Sequence, residues 1–277
     1  MKSFTMNALA VAVLGLAGIG SAMAACPTLT TNTGNSTPGG GGAWTSQTVG
    51  GGGFMNIVTP GLNSTSCALA NNISTTPAPN VKGFVSDTSP QNEPRYRARF
   101  YFDESALTLT AANFQTEMFN AFANTAPGSF NTDEVKIFLV GGGTVAVRIK
   151  VADATQASGF KTITVPVPTP NTAGHYYVEF DLNSGAGSGA VVGATCNACN
   201  SGDAGCFRYW VTAEGSSSSD ASPTGTCSVS NGGWSGVKQA NLGLYGTSAN
   251  FRLNNASSSA NLVVDEFDSR RQTFIGQ

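Results

Sequence analysis

The clearest order in the chain is an alternation of period two. In "RYRARFYF", Tyr96, Ala98, Phe100 and Phe102 fall on one side and Arg95, Arg97 and Arg99 on the other, the pattern of a strand with one face in a core. In "TVAVRIKV", Val145, Val147, Ile149 and Val151 alternate with Thr144, Ala146, Arg148 and Lys150. In "HYYVEFDL", Tyr176, Val178, Phe180 and Leu182 alternate with His175, Tyr177, Glu179 and Asp181. "EVKIFLV" runs into "TVAVRIKV" through Gly141, Gly142 and Gly143, a hairpin signal. Adding "VKGFV", "FKTITV", "CFRYWV", "VKQANLGLY", "NLVVDEF" and "RQTFI" predicts about ten to twelve short strands with no crossover helices, which describes a two-sheet sandwich. Two periods compete in "NFQTEMFNAFA": Phe114, Met118 and Phe122 have helical spacing, whereas Thr116, Met118 and Asn120 fit a strand. Taken alone, that stretch predicts a short helix.

Composition strengthens the β reading and sets the compartment. Gly, Ser, Thr and Asn are abundant while Lys, Glu and Leu are sparse, which supplies turns and strands better than helices. Lys2, the apolar run "ALAVAVLGLAGIG" and the small residues "SAMA" read as an export signal over 1–24. Residues 25–80 form a Gly/Ser/Thr-rich segment with a first edge strand at "FMNIV", and 81–277 form the sandwich, with a Cys-bearing insertion at 190–236. Fourteen basic against sixteen acidic residues give a net charge of -2, which argues against nucleic acid as a partner. No later stretch approaches the roughly 18 apolar residues of a membrane helix. The expected location is therefore secreted, periplasmic or cell-surface.

Six cysteines in an exported chain predict up to three disulfides. Clustering suggests Cys26 with Cys67, and Cys196, Cys199, Cys206 and Cys227 among themselves with their internal pairing open. "CNAC" also has the local spacing of a zinc site, but an oxidising compartment and the lack of a nearby His set that reading aside.

The order "PRYRARFYFDES", "HYYVEFDLNSG", "CFRYWV", "VKQANLGLY" and "LVVDEFDSRRQTFIG" resembles the concanavalin A-like, or laminin-G-like, jelly-roll domain of bacterial secreted proteins, over roughly Val81 to Gly276. The resemblance implies a two-sheet antiparallel sandwich, with strand in place of helix for "NFQTEMFNAFA". Such domains include lectins, glycan-binding modules, adhesive and structural domains, polysaccharide lyases and glycosidases, so fold alone does not select a function.

Candidate chemistry then rests on single residues. Glu179 and Asp181 share a strand face as a glycosidase carboxylate pair would, although Leu182 and Asn183 stand where a second glutamate is expected, and a Glu-x-Asp pair is common on solvated sheets. Trp234, in the loop "NGGWSG", is the best glycan platform, followed by Tyr177, Tyr209 and Trp210; of the last two, at least one belongs in the core. Calcium is the one cofactor to weigh, with Asp87, Asp103, Glu104 and Asp203 as candidate ligands, although no ligand string has recognisable spacing. His175 is the only histidine, which excludes a His-rich metal site. Strand alternation sends the neighbouring acids Asp265 and Glu266 to opposite faces. They read as a latch, with Arg270 and Arg271 or the row Arg95, Arg97 and Arg99 as partners. The expected function is a non-catalytic carbohydrate-binding or cell-surface matrix module; the alternatives are a polysaccharide-active glycosidase or lyase and a self-assembling extracellular structural protein.

Overall fold

The computed structural model describes residues 26, 29, 34–36, 44–90, 95–109, 113–123, 133–142, 144–153, 156–168, 174–183, 205–229, 236–245, 247–270 and 275. The strands are β1 (Gly34–Ser36), β2 (Ser46–Gly50), β3 (Gly53–Val58), β4 (Ala68–Ile73), β5 (Lys82–Asp87), β6 (Arg95–Asp103), β7 (Gln115–Phe122) and β8 (Asp133–Val140). They continue as β9 (Ala146–Ala152), β10 (Phe160–Pro166), β11 (His175–Asn183), β12 (Cys206–Ala213), β13 (Gly225–Ser228), β14 (Gln239–Tyr245) and β15 (Ser257–Arg270), with one short helix, α1 (Ala249–Asn254), before β15.

Two antiparallel sheets result, in the orders β1-β2-β5-β14-β7-β8-β9-β10 and β13-β12-β11-β6-β15-β4-β3. The chain is thus a jelly-roll sandwich. Between the sheets lies one large apolar cluster, to which β6 gives Phe100 and Phe102, β11 gives Val178 and Phe180, and β7 and β8 give Phe119 and Ile137. These are the alternate residues of the period-two runs, so each strand's other residues are directed to the outer face of its sheet.

Two local expectations change. "NFQTEMFNAFA" is β7, paired with both β8 and β14. A register shift between Glu117 and Phe119 lets Met118 and Phe119 both reach the core, which breaks period two and imitates helical spacing. Residues 25–80, expected to supply one edge strand, supply β1 and β2 to the eight-stranded sheet and β3 and β4 to the seven-stranded one. Position 81 is therefore not a structural boundary: β4 pairs with β15, and β2 with β5.

The Cys26–Cys67 disulfide is present. Cys206 is disulfide-bonded, and Cys196 and Cys199 lie outside the described residues. Cys227, expected as a disulfide half, instead carries a thiol, which burial pushes up to about 11. Among the described residues no helix is long and apolar enough to cross a membrane.

Candidate functional site

The chemistry gathers on the outer face of the seven-stranded sheet. Register places Asp103 opposite His175, Tyr101 opposite Tyr177, Arg99 opposite Glu179, Arg97 opposite Asp181 and Arg95 opposite Asn183 along β6 and β11. β12 continues the rows with Thr212, Trp210 and Arg208 beside Tyr177, Glu179 and Asp181. β15 adds Asp265 beside Tyr101 and Asp268 beside Arg99. Rows two residues apart lie about 7 Å from each other along a strand. Four guanidinium groups, two phenols, an indole and the only imidazole of the chain therefore share one surface.

Glu179 and Asp181 are not an open carboxylate pair. Glu179 is fully buried, bound by Arg97 Nε at 2.5 Å and by the Ile275 backbone N–H at 3.1 Å, and it accepts the Tyr177 hydroxyl. Asp181 takes both Arg95 donors, at 2.8 and 2.7 Å, and Arg208 Nη2 at 2.5 Å. Burial pushes the Asp181 carboxyl up, but Arg95, Arg208 and Arg97 outweigh it and hold the group below its ordinary value. An acid kept ionised by three guanidiniums cannot protonate a leaving group, so the glycosidase pairing of these residues is corrected to counter-ions that fix the arginines.

The aromatic candidates divide. Tyr177 and Trp210 are fully buried, and Trp210 lies under two guanidiniums, with Arg97 4.7 Å and Arg208 5.2 Å from its ring centroid. Tyr209 points to the other side of β12, stacks on Phe207 and fills the space a Cβ would need at Gly225. None of the three is an exposed glycan platform, and Trp234 lies outside the described residues. Of the calcium candidates, Asp87 is on the eight-stranded sheet and accepts the Ser89 N–H at 2.8 Å, whereas Asp103 on the other sheet accepts the Ser105 N–H at 2.7 Å. Beside Asp103, burial raises the Glu104 carboxyl. Asp203 lies outside the described residues, and no cluster of three or more metal-ligating side chains occurs among the described ones.

The latch forms with one of the expected arginines, Arg99, and through Glu266. Glu266 has φ 48° at an irregularity between Asp265 and Asp268, so alternation fails there. Phe267 packs against Phe119 in the core, while both acids reach the loop between β3 and β4. Glu266 pairs with Arg99 at 3.4 Å and accepts from Asn63 at 2.9 Å. Among the described residues Asp265 meets no arginine: it accepts the Leu62 N–H at 2.8 Å, the Thr65 hydroxyl and the Glu266 N–H at 2.7 Å. The Arg270 side chain and Arg271 are outside the described residues.

Three features escaped the sequence reading. His175 Nδ1 is 2.5 Å from Glu214 Oε2, and its Nε2 is 3.9 Å from Asp103. Tyr101 is fully buried with no hydrogen-bond partner for its hydroxyl, and burial pushes it up to about 12. Arg208 alternates onto the face of Trp210 in "CFRYWV", a signal that was available; Asp220 and Glu214, in the loop after β12, carried none.

No protein-family model and no curated protein matches the chain. Among solved structures, the endo-β-1,4-glucuronan lyase of the fungus Trichoderma reesei is similar with a TM-score of 0.51 at 12% identity, covering 83% of this chain and 91% of that one. An exolytic PL7 alginate lyase from Zobellia galactanivorans gives 0.47 at 9% identity over 80% and 89%, and the botulinum neurotoxin serotype D binding domain 0.45 at 9% over 83% and 43%. At these identities the likeness shows the jelly-roll sandwich. It also corrects the expectation of a non-catalytic module, because the one of these three with a TM-score above 0.5 is a polysaccharide lyase.

Proposed function

We propose that the protein is a polysaccharide lyase that cleaves a uronate-containing chain across the outer face of the seven-stranded sheet. The observation that carries the reading is the surface itself: Arg95, Arg97, Arg99 and Arg208 stand in rows beside Tyr101, Tyr177 and His175. A polyuronate presents one carboxylate per sugar, and planar guanidinium groups are suited to bind it in two-point fashion.

Elimination needs three things from such a face. The carboxylate must be neutralised so that the neighbouring C–H becomes acidic, a base must take that proton, and the glycosidic oxygen must receive one as its bond breaks and a carbon–carbon double bond forms. Arginine supplies the first. His175 is suited to the second: an ionised Glu214 can only accept, so Nδ1 carries the hydrogen of the neutral ring and Nε2 is the basic nitrogen. Tyr101 is suited to the third, since a phenol raised to about 12 keeps its proton at neutral pH and can donate it. The leader-like residues 1–24 agree with action outside the cytoplasm, where such polymers are met.

The test is incubation of the purified chain with polyglucuronate, alginate and a neutral β-glucan, following the ultraviolet absorbance of the new conjugated double bond. Absorbance should rise with one or more polyuronates and stay flat with the glucan, and His175→Ala should lower kcat by about a hundredfold or more. A flat trace with every polyuronate rejects the reading.

A further inference from the structure

The loop between β12 and β13 lies across the arginine rows. Trp210 Nε1 donates to Ser219 O at 3.0 Å and Arg208 Nη1 to Asp220 O at 3.2 Å, which fix its backbone over the sheet. The Asp220 carboxylate then reaches Arg97 Nη2 at 2.9 Å and Arg208 Nη2 at 3.3 Å. Arg97 and Arg208 are fully buried, whereas the Asp220 side chain is 38% exposed. A carboxylate at the solvent edge thus caps two guanidiniums beneath it.

Charge identifies what the cap replaces. Arg95, Arg97 and Arg208 meet two carboxylates of the sheet, Glu179 and Asp181. A further carboxylate, that of Asp220, comes from a loop. Lifting the loop would take a carboxylate away from Arg97 and Arg208, a change that favours uptake of an anion in place of the one lost. The site fits a carboxylate delivered from solvent on an extended chain, the form a uronate residue takes.

We propose that Asp220 is an internal stand-in for a substrate carboxylate, and that the β12–β13 loop holds the Arg97–Arg208 subsite closed until a polyuronate displaces it. This rests on the polyuronate reading above and adds its regulation. Binding is weakened by the fraction of molecules in which the loop is displaced, so removing the competing carboxylate strengthens it.

The experiment uses the full chain as wild type, Asp220→Ala and Asp220→Asn. Each is titrated calorimetrically with oligoglucuronate, oligoalginate and a neutral cello-oligosaccharide of equal length, and each is melted with and without sodium acetate. Asp220→Ala should bind one of the oligouronates at least about tenfold more tightly than wild type and the neutral oligosaccharide no better. Asp220→Asn, which keeps the shape and removes the charge, should move in the same direction. Acetate should raise the melting temperature of Asp220→Ala and not that of wild type, an effect that a merely structural Asp220 would not produce. Equal affinities in all three proteins, with the wild type still cleaving a polyuronate, overturn the stand-in and leave the lyase reading intact. Absence of binding and of cleavage in all three overturns both.

Discussion

The outer faces of the two sheets are built on the same alternation and reach opposite electrostatic states. On the seven-stranded sheet three guanidiniums, of Arg95, Arg97 and Arg208, surround Asp181 and hold it ionised. On the eight-stranded sheet Glu117, Asp133 and Glu134 are buried, with Lys136 2.6 Å from Asp133 and 3.9 Å from Glu117. Burial, with Asp133 adding to it, pushes Glu117 up to about 7 despite Lys136, and pushes Glu134 up to about 8. A buried carboxylate is therefore not a uniform feature. Its state follows from whether enough cationic neighbours offset its burial, as three guanidiniums do for Asp181 and Lys136 does not for Glu117.

Removing an acid should accordingly have opposite signs on the two faces. Asp181→Asn takes one counter-ion from the buried guanidiniums, and urea unfolding should show a loss of roughly 3–5 kcal/mol. Glu117→Gln should instead raise stability at pH 8 by on the order of 2 kcal/mol. If both substitutions destabilise equally at pH 8, the contrast between the faces is wrong.

The pH dependence sharpens the same point. Glu117 and Glu134 have raised values in the folded protein, so folded chains hold more protons than unfolded ones above the ordinary glutamate value of 4.5. Their contribution is fully present below pH 4.5 and is lost as pH rises through about 7 and 8. Asp181 acts the other way: its contribution is present above pH 3.8 and is lost in more acidic solution. Melting of Glu117→Gln and wild type should converge near pH 4 and diverge by pH 8. Parallel curves would remove Glu117 from the account.

Smaller effects are expected at the edge where the seven-stranded sheet meets its loops. Asp265→Asn weakens the bonds to Leu62 and Thr65 and should cost about 1–3 kcal/mol, with faster hydrogen exchange at the Leu62 amide. Glu266→Gln touches a partly exposed pair with Arg99 and should change stability by less than about 1 kcal/mol. A loss at Glu266 larger than that at Asp265 would show that the ion pair, not the loop anchor, is the latch.

The sandwich was legible because alternation in β6, β9 and β11 follows from burial of one sheet face, and that pattern is local in the sequence. The candidate site was legible only in part. The Arg95, Arg97 and Arg99 row and the Glu179 and Asp181 pair were visible as stripes, but that they neutralise each other depends on β6 lying next to β11, a pairing across the sequence. Bulges hid the rest: Glu117 to Phe119 mimicked a helix, and Glu266 defeated the face assignment of the terminal acids. Asp220 sits in a Ser-rich turn whose sequence carries no sign that it reaches two buried arginines.

The central claim is that this arginine-rich face cleaves polyuronates by elimination. Mass spectrometry of the oligosaccharides released from polyglucuronate or alginate by the purified protein tests it most directly. The account predicts fragments lighter by one water than the corresponding hydrolysis products, each with an unsaturated sugar at its non-reducing end. Saturated fragments carrying the added water, or intact polymer throughout, would contradict it.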